Sequence, residues 1–182
     1  MLSGYTAIYG GSFDPPHVGH QMVCLYLTEA LNAKEVWLVP TFVHAFNKSM
    51  APFEHRVAMC EKMTAPLSSS IKIEQSEKLI ATGGKTLLLL NHFSEKFPDR
   101  KFSLVIGSDI LQDCTRWYKW NEIEKSYRVT VLQRTGYETG VGVAFPLLSS
   151  TGIRQRILEN KDIAGLIPHG VKQYIYANNL YR

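Results

Sequence analysis

The sequence predicts an α/β protein built on an open, mostly parallel sheet with helices on both faces. Short apolar runs bounded by Gly and Pro alternate with stretches of helical spacing along nearly all of the 182 residues. Parallel neighbours need crossover connections, and this alternation supplies them. The length, with 45% apolar and 20% charged residues, suits a single domain over 1–182 with one sizeable core.

The apolar runs 5–9 and 35–39 (EVWLV) read as the first two strands. Between them Val18, Met22, Leu25, Tyr26 and Leu31 recur near helical spacing, which completes a βαβ unit. A polar loop over 41–51 leads into a helix predicted over 52–65. Pro52 stands at its start, and Phe53, Val57, Met59, Cys60 and Met63 are available for a core face. A short third strand is read at 71–73, a helix at 86–97 and a buried strand at 101–106 (KFSLVI). The spacing then predicts a helix over 117–127 and strands over 128–132 (RVTVL) and 143–148. Helices over 150–160 and 171–178 follow. Ligands of such sheets bind beyond the carboxyl ends of the strands, so the loops after Tyr9, Val39 and Ile106 are where chemistry is expected.

The net charge of +4 comes from scattered Lys and Arg rather than a basic run. A nucleic-acid partner is therefore not indicated, whereas a small anionic ligand accounts for the charge. Cys24, Cys60 and Cys114 are widely spaced with no C-x-x-C, which argues against a disulfide framework or zinc ribbon and suits a reducing, cytoplasmic compartment. The start of the chain has no basic segment followed by an apolar one, and no stretch nears the ~18 apolar residues of a membrane span.

The stretch GGSFDPPHVGH, residues 10–20, concentrates the signals. Two prolines delay the first helix to about Pro16, which suits its N1 position. His17 and His20 then share one face beside the free amides of the helix start, an anion site with two added imidazole donors. Gly10 and Gly11 are read as allowing a tight turn and a close phosphate approach, and Gly19 as removing a side chain between the histidines. His17, His20 and Cys24 fall at i, i+3 and i+7, so a metal site, with Asp14 as a fourth ligand, is a rival; against it, Cys24 sits in an apolar stretch. Gly84-Lys85-Thr86 ends like a P-loop but Leu79 stands where the first glycine belongs, and Phe145 breaks a dinucleotide fingerprint at Gly140 and Gly142. No closing glycine makes a nucleophile elbow of 10–14.

With H-x-G-H after the first strand, the chain resembles the nucleotidylyltransferase superfamily. The longer form G-G-[ST]-F-D-P-x-H-x-G-H, met at every fixed position, is similar to that of the bacterial nicotinate mononucleotide adenylyltransferases. Further matches follow in the family's order: His55-Arg56 with Met59, Ile106 to Asp109, Trp117-Tyr118, Ser149 to Arg154, and Tyr174-Ile175 with Leu180-Tyr181. Two segments depart from the pattern. The family's P-P-H-K loop reads Val43-His44-Ala45-Phe46-Asn47-Lys48, which displaces His44, and its S-Y-T-x-x-T-L keeps only Thr86-Leu87.

The resemblance implies a Rossmann-like fold and transfer of AMP from ATP to nicotinate mononucleotide with release of pyrophosphate, Mg²⁺ accompanying the ATP. It implies His17 and His20 on the α- and β-phosphates and Arg154, in a helix capped near Ser150, on the β- and γ-phosphates. Gly10, Gly11, Ser12, Gly19, Lys48, Ser150 and Thr151 are the other expected ATP contacts, with Gly107 and Asp109 on the ribose. Trp117 is expected to stack on the pyridine ring, with Phe13, Tyr118 and Thr86 beside it and no metal ligand in the chain. ATP and a pyridine mononucleotide are then the partners, with neither nucleic acid nor membrane among them; self-association is left open. The departures keep nicotinamide mononucleotide or another phosphorylated acceptor as an alternative. A metal-dependent phosphohydrolase or a silent nucleotide sensor is the alternative of another class.

Overall fold

The computed structural model describes residues 1–43, 49–80, 82–137 and 139–182. Six strands form one sheet: β1 (Tyr5–Gly11), β2 (Glu35–Pro40), β3 (Ile71–Ile73), β4 (Lys101–Gly107), β5 (Arg128–Arg134) and β6 (Val141–Phe145). Their order is β3-β2-β1-β4-β5-β6 and every pair is parallel, so the sheet is more uniform than the mostly parallel one expected.

Strand order reverses between β1 and β4. The chain first winds outward to β2 and β3, then returns to the other side of β1, which leaves a crevice beyond Gly11 and Gly107.

Period-two alternation divides the core between the faces. On one side Ala7, Val36, Leu38 and Val105 meet α1 (Val18–Leu25), α2 (Phe53–Thr64), α6 (Ser150–Leu158) and α7 (His169–Ala177). On the other, Ile8, Trp37, Val39, Leu104 and Ile106 meet α4 (Thr86–Lys96) and α5 (Trp120–Ser126). Helices thus cover both faces, as the pattern predicts.

Four local differences have physical causes. Trp117 lies outside α5 in extended backbone, because it ends a 3₁₀ turn, Cys114–Arg116, and a left-handed Lys119 (φ 53°) stands between it and the helix proper. Its indole sits edge-on to Trp120, with ring centroids 5.7 Å apart. The sixth strand runs Val141–Phe145 rather than 143–148, stopping at Pro146, which has no amide to give a ladder. A five-residue helix, α3 (Ser76–Ile80), is too short to leave a periodic signal. The first helix begins at Val18, not Pro16, because His17 has the extended backbone and side-chain acceptor of an N-cap.

Candidate active site

Gly10 and Gly11 are not a turn. They are the last residues of β1, paired with Val39 and Pro40, and the backbone turns only after them. Their small size serves two ends: a Cβ on Gly10 would meet nothing within 4 Å, so that position faces open space, whereas one on Gly11 would press on the Phe13 ring at 3.2 Å. Next in sequence, Phe13 adopts a left-handed backbone (φ 47°), and its buried ring stands edge-on to both Tyr9 and His20. Any contact it makes with a ligand passes through its backbone.

The histidines cap α1 reciprocally. His20 N–H donates to His17 Nδ1 at 3.4 Å, while His17 N–H donates to His20 Nδ1 at 3.1 Å. The rings stack at 3.6 Å between centroids and 17° between planes. Because each Nδ1 accepts an amide proton, this network assigns the neutral ring's own proton to Nε2. Among the described residues neither Nε2 has a protein partner, so each is a donor available to a ligand oxygen.

Electrostatics keep the pair neutral. Burial pushes His17 down to about 4, helped by the positive charge of Arg134. Burial, the neighbouring His17 and Arg134 hold His20 well below the ordinary histidine value. Gly19 lies between the rings in sequence, and a Cβ there would come within 3.0 Å of His17 Nδ1 and 3.1 Å of Cε1. The glycine therefore permits the stack.

The loop before the cap is held from three directions. The Asp14–Pro15 peptide bond is cis. Arg56 on α2, buried, donates from Nη1 to Ser12 O at 2.9 Å and from Nε to Ala51 O at 2.9 Å. From α6, Ser150 Oγ donates to Pro15 O at 2.9 Å, and Arg154 Nη1 donates to Asp14 O at 2.6 Å. Arg154 also lies 3.5 Å from Asp14 Oδ2, and its Nη2 donates to Thr151 Oγ1 at 3.3 Å. The cap of α6 is Ser149, one residue before the expected position. Its Oγ accepts from Gly152 N–H, which frees Ser150 to tie the loop. Ser12, Ser150, Thr151 and Arg154 are thus gathered with the histidines at one end of the sheet.

Across the crevice, Gly107 ends β4 and Asp109 sits in the 3₁₀ turn Ser108–Ile110. A Cβ on Gly107 would collide with the Asp109 carboxylate, so the glycine leaves the carboxylate free to lie against the strand end. Asp109 Oδ1 lies 3.8 Å from Nε of Arg134, the last residue of β5.

A second cluster lies at the start of α4. Gly83 and Gly84 both have left-handed backbones (φ 60° and 74°) and Lys85 N–H closes the turn on Thr82 O at 3.2 Å. Thr86 opens the helix. Lys85 Nζ lies 5.0 Å from the ring centroid of Tyr118, which is 44% exposed and adjoins Trp117. Beside the turn, a cavity of about 110 Å³ is lined by Phe42, Val43, Glu77, Thr82, Gly83 and Gly84. Thr82 Oγ1, buried, has no hydrogen-bond partner among the described residues.

Lys48 and His44 lie outside the described residues. The metal reading of His17, His20 and Cys24 is corrected. Cys24 is fully buried in the core, its thiol pushed up to about 12 by burial, and no three His, Cys, Asp or Glu among the described residues are grouped to hold a metal.

Arg56, Arg134 and Tyr181 were not expected at the site. Arg56 does leave a sequence signal, as a charge on the apolar face between Phe53 and Cys60.

A cytidylyltransferase-like family model matches residues 8–156. A protein of Anaeromyxobacter sp. (strain K) named "Probable nicotinate-nucleotide adenylyltransferase" is 39% identical over 180 residues, covering 97% of this chain and 96% of its own. The nicotinate-nucleotide adenylyltransferase of Bacillus subtilis (strain 168) is 30% identical over 185 residues, covering 96% of each chain. Among solved structures, the Plasmodium falciparum nicotinic acid mononucleotide adenylyltransferase complexed with NaAD superposes with a TM-score of 0.82. It shares 23% identity over 97% of each chain, and the likeness shows the fold.

Proposed function

Since the chain belongs to the cytidylyltransferase-like family, and within it to the nicotinate-nucleotide adenylyltransferases, we propose that it transfers AMP from ATP to nicotinate mononucleotide, giving nicotinate adenine dinucleotide and pyrophosphate. The observation that carries this reading is the stacked, neutral histidine pair at the crevice, with two Nε2 donors that have no partner among the described residues.

The acceptor's phosphate oxygen attacks the α-phosphorus of ATP, and the bond to the β-phosphate oxygen breaks. No enzyme nucleophile is needed, so catalysis is positioning and charge stabilisation. His17 and His20 donate from Nε2 to oxygens of the α- and β-phosphates, where negative charge builds. Neutral imidazoles suit this, because their protons stay available without a shift in pH. Arg154, one edge fixed by Asp14 and Thr151, offers its charge to the β- and γ-phosphates. Ser12, Thr151 and the first amides of α1 line the same wall, Gly10 leaves space for the phosphates, and Gly107 with Asp109 holds the adenosine ribose.

The donor set fits a Mg²⁺ that arrives on ATP rather than one caged by the chain. Asp14 is engaged by Arg154, and Asp109 faces Arg134. When bound, Mg²⁺ would neutralise charge on the phosphate oxygens. At the other end Trp117 stacks on the pyridine ring. Lys85, with no carboxylate partner among the described residues, supplies a positive charge that suits an acid substituent over an amide. Three free, buried cysteines support the cytoplasmic setting. No helix of the described residues is long and apolar enough to cross a membrane.

Pyrophosphate release with ATP and Mg²⁺ tests the reading, comparing nicotinate mononucleotide, nicotinamide mononucleotide and no acceptor. Release that requires the nicotinate form, with the dinucleotide as co-product, is expected. Release with neither acceptor would overturn it.

A further inference from the structure

The segment after α7 turns back toward the active site. Asn179 (φ 50°) and Tyr181 (φ 65°) both take left-handed backbones, and Leu180 N–H bonds Ile175 O at 3.0 Å between them. A tyrosine in that region carries strain of order 1 kcal/mol, which must be offset locally. The offset is visible. Tyr181 Oη donates to Asp14 Oδ1 at 2.7 Å and lies 4.0 Å from Met59 Sδ, while Ala51 N–H donates to the same carboxylate oxygen at 3.2 Å. Burial and the Asp14 carboxylate hold the phenol well above its usual range, so it stays a proton donor.

Asp14 is 1% exposed, and its other oxygen faces Arg154 Nη1 at 3.5 Å. The carboxylate is thus clamped between a phenol and a guanidinium that come from distant parts of the chain. Among the described residues the Tyr181 hydroxyl meets Asp14 and Met59, so any influence on bound phosphates would pass through Asp14 and Arg154.

We propose that Tyr181 is a positioning residue for adenylyl transfer: its hydrogen bond orients the Asp14 carboxylate, which in turn holds Arg154 in line with the triphosphate. This rests on the reading of Arg154 as a phosphate ligand. The segment 178–182 is therefore part of the active-site scaffold.

The test is binding of ATP with Mg²⁺ by calorimetry, alongside steady-state pyrophosphate release, in a double-mutant cycle of Tyr181→Phe and Arg154→Ala. Phenylalanine keeps the ring against Met59 and removes only the hydroxyl. Tyr181→Phe should weaken ATP binding about tenfold, the scale of one hydrogen bond to a charged group, and raise KM for ATP more than it lowers kcat. In the Arg154→Ala background the same change should cost less than about twofold, since the residue it acts through is gone. Unchanged ATP affinity in Tyr181→Phe, or an equal loss in both backgrounds, overturns the proposal. A wild type that binds ATP but does not use nicotinate mononucleotide would overturn the acceptor reading alone, and a wild type that binds no ATP would overturn both.

Discussion

The two ends of the crevice are built differently. At the proposed phosphate end, Ser150, Arg154 and Tyr181 reach the loop 12–17 across 135 to 167 residues of sequence, and Asp14 and His17 are almost fully buried. At the proposed acceptor end, Trp117 on extended backbone and Tyr118 on a turn follow a 3₁₀ turn, both at least partly exposed, a glycine turn precedes α4, and a cation–π contact joins Tyr118 to it. Chemistry shared by all such transfers depends on charge placed to fractions of an ångström, which long-range bonds enforce. Under the proposed assignment, acceptor choice would rest on surfaces that change at little cost to the fold. The family's pattern is complete over 10–20 at the first end, whereas at the second Trp117-Tyr118 and Thr86-Leu87 keep it and 81–85 depart from it.

The sharpest way to break this comparison is to disturb the rigid end. His20→Ala removes one Nε2 donor and half the reciprocal cap, yet leaves the core clusters intact. Turnover should fall by roughly 10²–10³, the scale of losing one preorganised donor to a developing oxyanion, with the fold retained by circular dichroism. Wild-type kcat in a folded variant would refute the role.

The same burial that keeps the pair neutral makes stability depend on pH. Free in the unfolded chain, His17 titrates near 6.5; in the folded protein burial lowers it to about 4. Above 6.5 both states are neutral and the group contributes nothing. As pH falls below 6.5 the unfolded chain gains a proton that the folded one refuses, so stability declines down to about 4 and then levels. The loss is of order 3 kcal/mol. His17→Asn keeps an N-cap acceptor and cannot titrate, so between pH 7 and pH 4 urea melts of the variant should lose about that much less than the wild type. Parallel curves would mean that the stacked ring is not desolvated.

What the sequence reveals follows the same divide. Strands buried on both faces, such as 101–106, leave continuous apolar runs, and the motif over 10–20 is local, so both were legible. β6 was misplaced because four of its five residues are exposed and carry no pattern. The tie from Tyr181 to Asp14 could not be read, since no local spacing announces a contact across 167 residues. Arg134 ends β5 with nothing in its neighbours to mark it, and only the β4–β5 pairing brings it beside Asp109.

At the softer end effects should be smaller and confined to one substrate. Trp117→Ala removes the proposed stacking face, and KM for the mononucleotide should rise roughly tenfold, within the 1–3 kcal/mol of a ring stacked on an aromatic side chain. KM for ATP should stay within about twofold. Equal changes in both constants would mean that Trp117 supports the fold through Trp120 rather than the acceptor.

Lys85→Met should give the smallest change and the most discriminating one. The side chain is exposed, so removing its charge leaves the core and the turn at Gly83-Gly84 untouched. Lys119, the other cation over Tyr118, is paired with Glu122 at 2.9 Å and is less able to substitute. An exposed ion pair is worth roughly 0.2–1 kcal/mol, so kcat/KM for nicotinate mononucleotide should fall about two- to fivefold while that for the uncharged amide stays level. Because such a pair is screened, the wild-type preference should also shrink between 0.05 and 0.5 M salt, whereas the variant's should not. A preference that ignores both the mutation and the salt would assign acid recognition to uncharged groups, such as the backbone amides that open α4, and the acceptor end would then be as rigidly determined as the phosphate end.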